Sequence, residues 1–117
     1  MAAAIQITPA LVLAELQHHI GKANGIHVRE LAQRITGELL DADVQQRRIR
    51  HVVTELRMQG HHVCATPSEG YYIAADADEL NETCSFLYDR AMTGLTQVSR
   101  MKNIALPDLR GQLHLPT

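Results

Sequence analysis

The sequence predicts an α+β fold, mainly α: three helices, a β-hairpin and a further helix towards the C-terminus. Three observations carry this. Ile49, Val52, Val53 and Leu56 fall at i, i+3, i+4 and i+7, which is one apolar stripe on a helix over residues 43–59. Two short β-type runs, "HHVCAT" and "YYIA", flank the turn-rich "PSEG". Apolar or small residues then recur in a 4-3-4-3 rhythm at Leu80, Cys84, Leu87, Ala91, Gly94, Val98 and Met101. With 117 residues, 45% of them apolar, the chain is expected to form one domain whose core needs no disulfide, with an appended helix.

The first helix opens at Thr8-Pro9, where threonine can cap and proline at the first helical position loses no hydrogen bond. Leu13, Leu16 and Ile20 are expected on its buried face, with Gly21 ending it. "GKANG" reads as a loop and "IHV" as a very short strand. A second helix, Arg29 to Ile35, is expected to bury Leu31, Ala32 and Ile35, and "TGELLDA" connects it onward, with a possible helical turn at Glu38 to Leu40. Asp43 followed by Gln46 resembles a capping box at the start of the third helix, and Gly60 is its stop. On the hairpin, Val63 and Ala65 alternate with polar neighbours, and Tyr71 and Ile73 share a face. Asp76 and Glu79 are again spaced as a capping box for the fourth helix, which carries a kink or break point at Gly94. The last stretch, with two prolines and a glycine, reads as extended.

Helix, short strand, helix, helix, hairpin, helix is the order of a winged helix-turn-helix with an additional C-terminal helix. The stretch "ELRMQGHHVCATPSEGYYIA" resembles the recognition-helix end and wing of the biotin-repressor type of winged helix. The resemblance rests on Leu56-Arg57, Gly60, Val63, "PSEG", Gly70-Tyr71 and Ile73, and "VRELAQRI" is similar to the second helix of many such regulators. It covers about Leu13 to Ala75. The connector from Ile35 to Asp43 is longer than the tight turn usual in that motif, and Val28 stands where a Ser or Thr cap is usual. The division that follows is an N-terminal arm over 1–7, a winged-helix domain over 8–77, a C-terminal helix over 78–103 and an extended tail over 104–117. The resemblance implies that the hairpin is a wing and that the third helix reads DNA in small bacterial or phage regulators.

Charge bears on that implication. The whole chain is at −2, but between Lys22 and His62 seven basic residues stand against five acidic ones, while the stretch from Asp76 to Asp89 is acidic. At 100° per residue, the side of the third helix opposite its apolar stripe carries Arg47, His51, Thr54 and Met58, with Arg50 on the flank. Arginine can pair bidentately with guanine and glutamine with adenine, so Gln46, Arg47, Arg50, His51 and Thr54 are the candidates for base edges. Arg48, Arg29 and Lys22 are candidates for phosphates, and Ser68 at the hairpin tip is small enough to approach a nucleic-acid backbone. The expected partner is double-stranded DNA, bound by a transcriptional regulator or a replication or recombination accessory factor. The alternative is a protein-interaction module using the same fold, for example a phage protein that binds a host factor. The fourth helix either packs on the domain or forms a homodimer, which would supply two half-sites.

Other chemistry is weaker. His61, His62 and Cys64, even with His18 and His19, do not supply four ligands at zinc-site spacing, so no metal is expected. There is no Gly-rich phosphate loop, nucleophile elbow or HExxH, hence neither catalysis nor a cofactor is expected. Cys64 and Cys84 lack CxxC spacing and are read as reduced thiols. No apolar run is long enough to cross a membrane and no signal peptide is recognised, so the expected location is the cytoplasm.

Overall fold

The computed structural model describes residues 6–37 and 42–105. These comprise four α-helices and a two-stranded antiparallel sheet: α1 (Pro9–Leu16), α2 (Val28–Thr36), α3 (Ala42–Met58), β1 (Val63–Thr66), β2 (Gly70–Ile73) and α4 (Ala77–Lys102), with a single 3₁₀ turn at Lys22–Asn24. The α+β, mainly α class read from the sequence is therefore observed. The suggested turn at Glu38 to Leu40 and the extended tail beyond Ala105 lie outside the described residues.

Thr8 caps α1 as expected, its Oγ1 accepting from the Leu11 amide at 3.2 Å. The helix then ends at Leu16, before Gly21, and its buried residues are Val12 and Leu16; Ile20 is 47% exposed. The cause is competition from the hairpin. Ile73 donates to the His19 carbonyl at 2.9 Å and its own carbonyl accepts from Gly21 at 2.8 Å, so the backbone after α1 pairs with β2 and cannot remain helical. The "IHV" segment is likewise reduced to one residue of pairing: Ile26 and Tyr71 exchange two backbone hydrogen bonds of 2.8 Å. β2 thus sits between β1 and the α1–α2 connection.

α3 supplies the centre of the core. Ile49, Val52, Val53 and Leu56 are all buried, and each contributes on the order of 2 kcal/mol by leaving water. They pack with Val12 and Leu16 of α1 and with Leu31 and Ala32 of α2, while Ile35 is half-buried against the same cluster. Ala42 opens α3, so Asp43 lies in the first turn, where the helix dipole favours a carboxylate, instead of at the cap. The C-terminus is closed as expected at Gly60: its φ is +93°, its amide donates to Arg57 O, and His61 donates back to Leu56 O. That pair of bonds is the Schellman arrangement.

The hairpin pairs Val63 with Ile73, Cys64 with Tyr72, Ala65 with Tyr71 and Thr66 with Gly70. Val63, Tyr71 and Ile73 close the helical core on one face, as the alternation predicts. The other face is covered too. Cys64 and Tyr72 are completely buried, Cys64 Sγ lies 3.6 Å from the Glu79 carbonyl, and Thr83 is 5% exposed. The first turns of α4 therefore belong to the compact unit that ends at Thr83, past the 77/78 boundary read from the sequence; a second unit begins at Cys84. Asp76 caps α4, accepting from the Glu79 amide at 2.9 Å, whereas the Glu79 carboxylate reaches the amides of Ala75 and Lys22 and not that of Asp76. The helix runs without a break through Gly94. Cys64 is buried and Cys84 exposed.

Two stability predictions follow from the hairpin. Gly70 has φ +81°, and a Cβ there would lie 2.3 Å from the Ile26 carbonyl oxygen. Gly70→Ala should cost about 2 kcal/mol or more in urea unfolding, and a loss under about 0.5 kcal/mol would contradict the close approach. The Tyr72 hydroxyl is buried without a hydrogen-bond partner. Burial pushes its phenol above the usual 10.0. The folded state thus holds this proton after the unfolded chain has released it, so stability is full below pH 10.0 and falls as pH rises towards the folded-state value. Lys22, raised above 10.5 by its bond to Glu82, adds to the same alkaline decline. Tyr72→Phe should be neutral or slightly stabilising at pH 7 and should flatten the alkaline limb of a stability-against-pH curve.

Candidate nucleic-acid interface

The buried stripe of α3 fixes which of its side chains meet solvent. Arg47, Arg50, His51 and Thr54 are exposed, Gln46 is half-buried, and Met58 is 84% exposed at the C-terminal end of the strip. Six of the nine residues singled out from the sequence therefore share one helix, and all but Arg48 keep their side chains on its outward side. Their local partners differ. His51 Nε2 lies 2.8 Å from Glu55 Oε1, one turn along the helix. Thr54 Oγ1 donates to the Arg50 carbonyl at 3.1 Å, leaving its lone pairs outward. Arg47 and Arg50 have no ion pair or side-chain hydrogen bond among the described residues. Asp43 is also exposed in the first turn, an acidic neighbour that the selection of cationic residues leaves out.

The other basic residues divide sharply by what holds them. Arg48 turns to the side of α3 and its Nε donates to the Ile7 carbonyl at 3.1 Å. That bond ties residue 7, itself buried, to the domain, so the segment read as an arm contributes a core residue. Arg57 Nε donates to the Val63 carbonyl at 2.8 Å, joining the end of α3 to the start of β1. Arg34 bridges Glu15 of α1 and Glu30 of α2 at 3.2 and 3.0 Å, which raises its already high pKa further. Lys22, a proposed phosphate contact, has its Nζ 2.9 Å from Glu82 at the start of α4. Arg29 is exposed in the first turn of α2 and has no partner among the described residues.

Ser68 is exposed in the hairpin turn, where Thr66 Oγ1 accepts from the Glu69 amide at 3.0 Å and holds the loop closed. The structure brings Gln46, Arg47, Arg50, His51 and Thr54 together on α3; Arg29, Lys22 and Ser68 stand on other elements. The roles of Arg48 and Arg57 as backbone clamps are not visible in the sequence, because a carbonyl acceptor has no residue-type signature. Among the described residues no three His, Cys, Asp or Glu side chains converge as a metal site, and no helix is long and apolar enough to cross a membrane. No family model, no curated protein and no solved structure matches this chain.

The division between tied and untied arginines is measurable. Arg57→Ala should cost about 1 kcal/mol in denaturant unfolding, because it removes a part-buried bond between α3 and β1. Arg47→Ala and Arg50→Ala should each stay within about 0.5 kcal/mol of the parent. Equal losses at all three positions would show that the outward pair is structural after all.

Proposed function

We propose that residues 8–77 act as a winged helix-turn-helix module that binds double-stranded DNA, with α3 in the major groove and the β1–β2 turn beside the backbone. The observation that carries the reading is the untied pair Arg47 and Arg50, held outward by the fully buried stripe beneath them while Arg34, Arg48, Arg57 and Lys22 are tied inside the protein. An exposed guanidinium without a partner has its donors available to a guanine edge or a phosphate. The hydrogen-bonded bridge of Ile26 to Tyr71 supports the same reading, because it anchors the free edge of β2 to the connection between α1 and α2.

In this role Gln46, Arg47, Arg50, His51 and Thr54 face base edges. Arg29 and the outer nitrogens of Arg48 serve phosphates, and Ser68 approaches the backbone from the turn. Lys22 is the weakest of the nine, since binding a phosphate requires it to leave Glu82. The biological role that fits is a small bacterial or phage transcriptional regulator, or a replication or recombination accessory factor, working in the cytoplasm. A second reading, a protein-binding module, is favoured by one observation: Phe86 and Tyr88 on α4 are 58% and 66% exposed.

Selection of bound duplexes from a random pool, followed by salt titration, tests the reading. Arg47→Ala combined with Arg50→Ala should lower the log–log salt slope by about 2, at roughly 0.9 per phosphate charge lost, if both contact the backbone. If they read guanines, each should instead cost about 1–3 kcal/mol on the selected site and relax its sequence preference. Unchanged affinity, preference and slope in the double variant would sink the proposal.

A further inference from the structure

The connection between α1 and α2 places an asparagine directly before a glycine, Asn24-Gly25, and the fold has a use for both residue types. Gly25 lies against the hairpin turn, where any Cβ would overlap the Glu69 carbonyl oxygen, so no larger residue fits without moving the backbone. Asn24 is exposed, and its Nδ2 donates to the Ile20 carbonyl at 2.8 Å. That carbonyl lies in the stretch that leaves α1 to pair with β2, and the asparagine side chain supplies it with a donor.

Asparagine followed by glycine carries a chemistry of its own. With no side chain on the next residue to obstruct it, the Gly25 amide nitrogen can lose its proton to a solvent base and attack Asn24 Cγ. The Cγ–Nδ2 bond then breaks, the side-chain nitrogen takes up a proton and leaves as ammonia, and a succinimide ring remains. Water is the only co-reactant after that. Its attack at Cγ leaves aspartate. Its attack at the backbone carbonyl leaves isoaspartate, in which the main chain runs through the former side chain and is longer by a methylene.

In the folded chain each group of this reaction is held. The Gly25 N–H, whose proton has to go, donates to the Lys22 carbonyl at 3.2 Å. The leaving Nδ2 is fastened to Ile20, and the Asn24 carbonyl accepts from His19 Nδ1 at 2.8 Å. The Asn24 amide closes the 3₁₀ turn on the Gly21 carbonyl at 3.0 Å. Two residues beyond Asn24, Ile26 is locked to Tyr71 by both of its backbone bonds.

We infer that Asn24-Gly25 is a self-modification site gated by the crossing between this connection and the hairpin. It stays closed while Ile26 and Tyr71 are paired and converts to aspartate or isoaspartate once that pairing opens. The change runs one way. It sets a carboxylate against the Ile20 carbonyl in place of a donor, and isoaspartate also displaces the backbone that leads to Ile26, so a chain that has reacted does not close as before.

The inference is independent of DNA binding by α3, and its test uses the full chain alone in mildly alkaline buffer. Asn81-Glu82 and Asn103-Ile104, each followed by a bulkier residue, serve as internal references. In urea strong enough to unfold the chain, peptide mass mapping should find conversion at Asn24 ahead of the other two, with isoaspartate resolved from aspartate by elution. In the native chain the rate at Asn24 should be lower by at least roughly tenfold, because reaction waits for local opening. Gly70→Ala, whose Cβ would strike the Ile26 carbonyl, should raise the native rate several-fold. Should that variant not fold, urea below the unfolding transition of the parent gives the same reading: the rate should climb before the chain unfolds globally. Asn24→Asp, which makes one product directly, should unfold at a lower urea midpoint than the parent. Equal rates in native and unfolded chains, no preference for Asn24 over Asn81 in urea, a native rate that rises only with global unfolding, or an unshifted midpoint for Asn24→Asp would each overturn the inference.

Discussion

The N-terminal unit depends on a close backbone crossing between the α1–α2 connection and the hairpin. Ile26 and Tyr71 exchange two hydrogen bonds, and glycines on both sides make the approach possible. A Cβ on Gly25 would stand 2.1 Å from the Glu69 carbonyl oxygen, and one on Gly70 would strike the Ile26 carbonyl. With the crossing in place, β2 is anchored on one side by the chain between the helices and on the other by β1. Val63, Tyr71 and Ile73 then close the core built by α1, α2 and α3, and the outward side of α3 is defined by default.

Electrostatics in this unit separate structural cations from available ones. Arg34 joins two helices, Arg48 holds the N-terminal segment, Arg57 fastens α3 to β1, and Lys22 draws the 3₁₀ turn to α4 with help from the Glu79 carboxylate. A census of basic residues would treat them all as candidates for nucleic acid. Their partners reduce the strongest candidates to Arg47, Arg50 and Arg29, which matters more than a net charge of −2 for the whole chain.

Much of the fold was legible because it is periodic. The α3 stripe obeys the helical repeat over two turns, and a glycine at its end, a proline-containing turn and Gly70-Tyr71 mark the hairpin without ambiguity. The exposure of Arg47, Arg50, His51 and Thr54 follows from the same angles. What escaped is long-range. Alternation in "HHVCAT" and "GYYI" says that a strand has two faces, but not that α4 would bury Cys64 and Tyr72 on the second. The early end of α1 was hidden for a similar reason: Ile20 continues the apolar spacing, and only the position of β2 shows why the backbone leaves the helix there. The carbonyl partners of Arg48 and Arg57 lie 41 and 6 residues away, with nothing in the residue types to announce them.

The Arg57 bond has one more effect, on how the molecule behaves in crowded solution. In β1 the amide and carbonyl of Val63 point away from β2, as do those of Ala65, making a strand margin onto which another chain could add. The Val63 carbonyl is occupied by the guanidinium and its amide is turned onto His61 O at 2.9 Å. Pro67, just beyond the strand, has no amide to offer. An incoming strand would find Ala65 alone, too little to template a cross-β ladder, and would meet the Arg57 charge beside it.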